Sequence, residues 1–200
     1  MKPAQEEVSF PDPQRVREVQ EGFLERRRPI VLIGPMAAGK SYIGAHIARF
    51  YGYRFLDADH LFVEKFGPIS EFIELYGEPE FRAKEALLIA EVLNSPRYRN
   101  CIFSLGGGAP MTDAVAEILR HETVIYILVD LETVRPRIEN NTTRPLLQPN
   151  PVEKWVQIMH ERQSRYEELA TYTLDARGNP GVVKMTSELQ EFILSTRKGA

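Results

Sequence analysis

Gly34-Pro35-Met36-Ala37-Ala38-Gly39-Lys40-Ser41 follows the apolar run Ile30-Val31-Leu32-Ile33 and leads straight into a helical pattern. A strand, a glycine-bounded loop ending in Lys-Ser and then a helix form the arrangement of a phosphate-binding loop. The glycines let the backbone wrap a phosphate with its N–H groups, Lys40 reaches the β and γ phosphates, and the Ser41 hydroxyl ligates Mg²⁺. The helix start adds a positive dipole end and free N–H donors aimed at the anion. With Tyr42, the next residue, this stretch is the expected ATP contact: Gly34, Pro35, Met36, Ala37, Ala38, Gly39, Lys40, Ser41 and Tyr42. The bland alternative is a Gly-rich turn that only joins a strand to a helix. At average residue usage, a chance match of the four fixed positions occurs roughly once in a hundred such chains, and the strand-loop-helix context makes it rarer.

Outward from this loop, short apolar strands alternate with helical stretches, the pattern of a parallel sheet covered by helices on both faces. Strands are expected at Ile30 to Ile33, Arg54 to Leu56, Cys101 to Leu105, Val124 to Val129 and Tyr172 to Asp175. Helices are expected from Lys40 to a C-cap at Gly52, from Glu78 to Asn94, from Asn150-Pro151 to about Ala170, and from about Val183 to Ser195. The fold class is therefore α/β, a three-layer P-loop kinase fold with a five-stranded parallel sheet. Residues 29–200 form that domain. Residues 1–28 are an extension, expected to be helical, in which Val16, Val19 and Phe23 share one face. Residues 59–94 are an acceptor-binding region, in which the stretch from His60 to Gly77, rich in Phe and Ile, reads as short helices laid over an edge of the sheet. Residues 137–150 are a lid loop, because 140–149 carry neither helical nor strand period.

Composition excludes several roles. The 200 residues suit one domain, and the net charge of −3 lacks the concentrated positive field that nucleic-acid or membrane-surface binding needs. Cys101 is the only cysteine, so no internal disulfide forms, and its expected place is a small buried hydrophobe. The polar, acidic start carries no secretory core, and no apolar run approaches the roughly 20 residues that span a bilayer. A cytoplasmic monomer is expected. None of His46, His60, His121 and His160 forms a metal-binding pattern, so no zinc or other transition metal is expected.

Ligands of an open α/β sheet sit beyond the carboxyl ends of its strands, so the residues after each strand carry the chemistry. Asp57 and Asp59 end the second strand; in extended geometry they point the same way, one toward Mg²⁺ and one toward a hydroxyl about to be phosphorylated. Gly106, Gly107 and Gly108 end the third strand where many P-loop proteins have an acid, which shifts the metal onto Ser41 and Asp57. Bare backbone there suits N–H donation to a hydroxyl or carboxylate. Arg82, in the first turn of its helix, and Arg162 are candidate carboxylate clamps, since a guanidinium grips a carboxylate through two parallel hydrogen bonds. Arg144, inside the lid, would bring positive charge onto the transferring phosphoryl group. Solvated turn acids and surface arginines are the ordinary alternatives.

The ordered set GPMAAGKS, FLDAD, GEPEFR, GGG, RPLL and R-x-x-x-Y resembles the shikimate kinase family over about residues 30 to 190. The resemblance implies a fold like the nucleoside monophosphate kinases and transfer of the γ-phosphoryl group of MgATP to the 3-hydroxyl of shikimate, in aromatic amino acid biosynthesis. It implies that Asp59, Arg82, Arg162, Gly106, Gly107 and Gly108 hold shikimate, with Asp59 on the accepting hydroxyl. Lys40 would hold the phosphates, Ser41 and Asp57 the magnesium, Arg144 the transition-state charge and Arg137 the adenine face. The catalytic set is thus Lys40, Asp59 and Arg144. Three positions depart from the family pattern. Ala37 stands where glycine is common, Arg165 lies beside Arg162 and competes for its role, and Pro136 falls inside the helix leading to the lid. Two rival readings are a kinase of another small hydroxy acid such as gluconate, and a catalytically silent nucleotide-binding module.

Overall fold

The structure is a computed structural model that describes residues 27–139 and 149–198. Five strands, β1 (Ile30–Ile33), β2 (Arg54–Asp57), β3 (Cys101–Ser104), β4 (Thr123–Leu128) and β5 (Tyr172–Asp175), form one sheet in the order β2-β3-β1-β4-β5. Every pairing is parallel. β1 lies at the centre and all four of its residues are buried, which is why it reads as an unbroken apolar run rather than an alternating one. In this register Leu32 pairs with Ser104 and Asp57 with the same Ser104. The loops after β1, β2 and β3 therefore leave the sheet at one level and open into one crevice.

Eight α-helices flank the sheet among the described residues: α1 (Lys40–Tyr51), α2 (Ala58–Phe66), α3 (Ile69–Tyr76), α4 (Glu78–Asn94), α5 (Asp113–Leu119), α6 (Leu131–Ile138), α7 (Pro151–Leu169) and α8 (Val182–Lys198). The expected helix ends hold: Gly52 closes α1, with its N–H on Ala48 O, and Ser95 turns extended before Pro96 to stop α4. α5 had no counterpart in the sequence reading. α6 runs on through Pro136 for two more residues, so the proline only removes one backbone donor near the helix end. No helix among the described residues is long and apolar enough to cross a membrane. Cys101 is fully buried, as expected. Arg28, just before β1, pairs with the buried Glu122.

The main core lines both faces of the sheet, and a second, smaller cluster lies among α2, α3 and α4. There Phe62 of α2 meets Phe72 of α3 and Phe81 of α4 edge-on, with ring centroids 5.2 and 4.9 Å apart. Such edge-to-face pairs hold the three helices as a unit and so set the entry angles of Asp59 and Arg82. One glycine decides how closely α1 approaches β2. A Cβ at Gly44 would lie 2.5 Å from the Phe55 ring and 3.1 Å from Leu32 Cδ1. Gly44→Ala is expected to destabilise the fold by about 1–2 kcal/mol, because overpacking exceeds the gain in helix propensity. A urea midpoint that does not fall would show that Phe55 moves aside freely.

Candidate active site

The phosphate-binding loop joins β1 to α1 and is folded around its own lysine. Lys40 is buried, and its Nζ donates to Gly34 O and Pro35 O, both at 2.9 Å. Ser41, the next residue on α1, donates its hydroxyl to Asp57 Oδ2 at 2.6 Å. The other Asp57 oxygen accepts the N–H groups of Asp59 at 3.1 Å and His60 at 3.4 Å. Asp57 is thus the N-cap of α2, which corrects one expectation. The chain does not stay extended as far as Asp59, because the Asp57 carboxylate satisfies the first free helical N–H groups and starts the helix there. The two acids still face one crevice, by way of a helical turn rather than a strand.

Asp59 is open to the crevice but ringed by protein. Its carboxyl is pushed up from the usual aspartate value by burial first and then by the charge of Asp57, while Lys40, His60 and Arg82 pull it down. A Cβ added to Gly106 would lie 3.0 Å from Asp59 Oδ1 and 3.2 Å from Glu85 Oε1. A Cβ on Gly108 would lie 2.6 Å from Arg82 Nη2. Gly107 lies against the phosphate-binding loop, its added Cβ being 3.3 Å from Gly34 O and 3.4 Å from Met36 N. Each glycine of the triplet is therefore where a side chain would strike a candidate functional group. Arg82, the fifth residue of α4 rather than part of its first turn, donates to Glu85 Oε2 at 2.7 Å and to Glu78 Oε1 at 3.2 Å.

The sequence model of the shikimate kinase family matches residues 36–193. The chain belongs to the shikimate kinase family. It is 34% identical over 169 residues to shikimate kinase of Corynebacterium jeikeium, covering 84% of this chain and 89% of that one. It is 38% identical over 148 residues to that of Corynebacterium glutamicum, covering 72% and 85%. A solved structure of shikimate kinase from Acinetobacter baumannii in complex with shikimate superposes with a TM-score of 0.77 at 32% identity, covering 87% of this chain and 97% of that one.

Within this member of the family, Arg162 and Arg165 separate clearly. Arg165 donates to Asp113 Oδ1 at 3.0 Å and also faces Glu168, so it ties α7 to α5. Arg162 instead lies against the Tyr166 hydroxyl, where its charge opposes the upward push of burial on that phenol. Tyr166 donates to Gly107 O at 2.6 Å, which puts Arg162 on the side of the glycine triplet. Arg144 falls within residues 140–148, outside the described residues, as does most of the lid; so do residues 1–26 of the N-terminal extension.

Sequence reasoning missed Glu85. It is 3% exposed, and burial pushes its carboxyl up against the opposing pull of Arg82, with Asp59 adding to the rise. A signal existed: Glu85 sits in phase with Phe81, Leu88, Ile89 and Val92 on the apolar face of α4, where an unpaired acid is not tolerated. Also missed was one wall of a cavity. A cavity of about 610 Å³ opens beside the phosphate-binding loop and is walled by Tyr42 and Arg137 together with Ala176, Asn179, Val182 and Met185 from β5 to α8. Its size suits a nucleoside. Arg137 donates to Ala37 O at 2.8 Å and to Asn179 Oδ1, so it fastens the loop to the far wall of that cavity.

Ala37 has φ 65°, a left-handed conformation that strains any residue with a Cβ. Ala37 carries this strain in the folded chain, where it opposes folding. Ala37→Gly is expected to raise stability by about 0.5–1 kcal/mol, the relief of strain less the added freedom of the unfolded chain. Nucleotide Kd should stay within about threefold, since the change in strain on binding is a small part of the 1.4 kcal/mol that makes a factor of ten. A large gain in affinity would mean that the free loop adopts another shape.

Proposed function

We propose that this protein transfers the γ-phosphoryl group of ATP to the 3-hydroxyl of shikimate. The observation that carries the reading is the position of Asp59, against Gly106 and within the field of both Lys40 and Arg82. The carboxylate that accepts a hydroxyl proton is thereby placed between a phosphate-binding lysine and a guanidinium fit for a carboxylate. Membership of the family, and the shikimate bound in the Acinetobacter baumannii relative, support shikimate as that acceptor.

In this reading the nucleoside occupies the cavity between Arg137 and the β5–α8 segment, and its phosphates replace Gly34 O and Pro35 O as partners of Lys40. Arg82, oriented by Glu85 and Glu78, and Arg162 hold the carboxylate of shikimate. The Gly106 to Gly108 backbone receives the ring, and the ring lies close because no side chain intervenes. Asp59 orients the 3-hydroxyl and takes its proton as the oxygen attacks the γ phosphorus. Arg144 supplies charge to the transferring group. Ser41 Oγ and Asp57 Oδ2, two hard oxygens 2.6 Å apart, fit Mg²⁺, which takes few protein ligands and completes its shell with phosphates and water. When bound, that ion neutralises charge on the phosphates as the bond to the leaving group breaks. The protein works as a cytoplasmic monomer on these two substrates, without nucleic acid or membrane.

The test is ADP release with MgATP in the presence of shikimate, quinate, gluconate or no acceptor. Turnover with shikimate alone is expected. Binding of ATP with no acceptor-dependent release would sink the kinase reading.

A further inference from the structure

We propose that α7 is a spacer that sets the phosphate-binding loop and the glycine triplet at their working separation, with Trp155 and Tyr166 as its positioning residues. Trp155 is 3% exposed and donates its indole N–H to Met36 O at 3.1 Å. Tyr166 is fully buried and donates its hydroxyl to Gly107 O at 2.6 Å. The two residues stand about three helical turns apart, so they lie on one face of α7 with their Cα atoms roughly 16 Å from each other. Their long side chains converge, because Gly107 and Met36 are themselves neighbours: a Cβ on Gly107 would be 3.4 Å from Met36 N. Two hydrogen bonds from one rigid helix and one backbone contact thus close a triangle between nucleotide loop, acceptor loop and α7.

Two further features make this triangle stiff and place it in the site. The Tyr166 ring stacks on Tyr126 of β4 at a centroid distance of 5.4 Å, which fixes its direction. Arg162 lies on the same face, between the two donors, against the Tyr166 hydroxyl. Each donor is spent on a loop carbonyl, Trp155 on Met36 O and Tyr166 on Gly107 O, and in the kinase reading the first loop serves the nucleotide and the second the acceptor. Tyr166 should therefore govern the acceptor side and Trp155 the nucleotide side, which a general role in stability would not separate. The assignment of sides rests on the kinase reading above.

The experiment compares wild type, Tyr166→Phe, Trp155→Phe and Trp155→Tyr by calorimetric titration with MgADP, and with shikimate at saturating MgADP, alongside kcat. A net hydrogen bond corresponds to about a threefold to tenfold change in an equilibrium constant. Tyr166→Phe is expected to weaken shikimate by about that factor, as a positioning bond is lost, with MgADP Kd unchanged. Trp155→Phe is expected to do the converse, and Trp155→Tyr, which restores a donor on a ring, to recover part of the loss. Trp155 is the only tryptophan of the chain, so its emission gives an independent reading of MgADP binding in wild type and Tyr166→Phe. Equal weakening of both ligands in either variant, or a lower melting temperature with both constants unchanged, overturns the proposal. Failure of the kinase reading is told apart by wild type itself, which would then neither bind shikimate nor release ADP with it.

Discussion

Asp59→Asn is expected to lower kcat by about 10²–10⁴-fold, the range that a positioned general base contributes, while leaving nucleotide affinity nearly unchanged. Asparagine keeps the shape and an acceptor oxygen beside Gly106 but cannot take the proton of the attacking hydroxyl. Burial and the charge of Asp57 hold the wild-type carboxyl above its usual value of 3.8, so kcat/KM should fall as the pH drops through a pKa above that value. This acid limb should vanish in the variant. The sign for stability is opposite. A carboxyl whose folded pKa exceeds its unfolded pKa contributes stability below the unfolded pKa and loses that contribution as the pH rises through the folded one. Asp59→Asn should consequently melt no lower than wild type at neutral pH, and its advantage should shrink on acidification. Undiminished kcat in the variant would remove Asp59 from the chemistry and leave it a binding group only.

The second large effect is expected at Glu85, whose side chain is 4% exposed and 2.7 Å from an Arg82 side chain that is 23% exposed. Glu85→Ala removes the carboxylate that aims this guanidinium across Gly108. Truncating one member of a buried charged pair costs 3–5 kcal/mol when the partner is stranded; Arg82 keeps Glu78 and some water, so a loss of about 2–3 kcal/mol in stability is expected here. The acceptor effect should be larger in kind: the KM for shikimate should rise by about 10²-fold as Arg82 turns to Glu78, which amounts to losing one charge-assisted pair. Glu85→Gln, which retains an acceptor oxygen for Arg82, should fall between the two. Nucleotide Kd should not move in either variant. An unchanged shikimate KM in Glu85→Ala would show that Glu78 alone orients Arg82.

Most of the fold was legible because its signals are local. The buried run Ile30–Ile33, the Lys-Ser end of the loop, Gly52 after α1 and Ser95-Pro96 after α4 each act within a few residues, and the observed elements end where these stand. The site was legible only in part. Residues after β1, β2 and β3 meet at one level as a parallel sheet requires, so Ser41, Asp57, Asp59 and the glycine triplet come together. The turn at Asp57 was misread because strand alternation and helix capping compete there, and the cap prevails through two N–H groups.

The sequence by itself determined the phosphate-binding loop, the alternation that makes a parallel sheet, and the membership of the chain in its family, since all three rest on residue types at short, fixed spacings. Tertiary structure alone separated Arg162 from Arg165, because the partners that part them, Gly107 through Tyr166 and Asp113, are distant in sequence. It also decided that Glu85 is the buried partner of Arg82, that Ala37 is held left-handed, and that the β5–α8 segment completes the cavity beside the phosphate-binding loop. The physical reason is common to these cases. Burial, ion pairing and cavity walls depend on which distant segments pack against a residue, and that is set by the sheet order β2-β3-β1-β4-β5 and the seating of its helices.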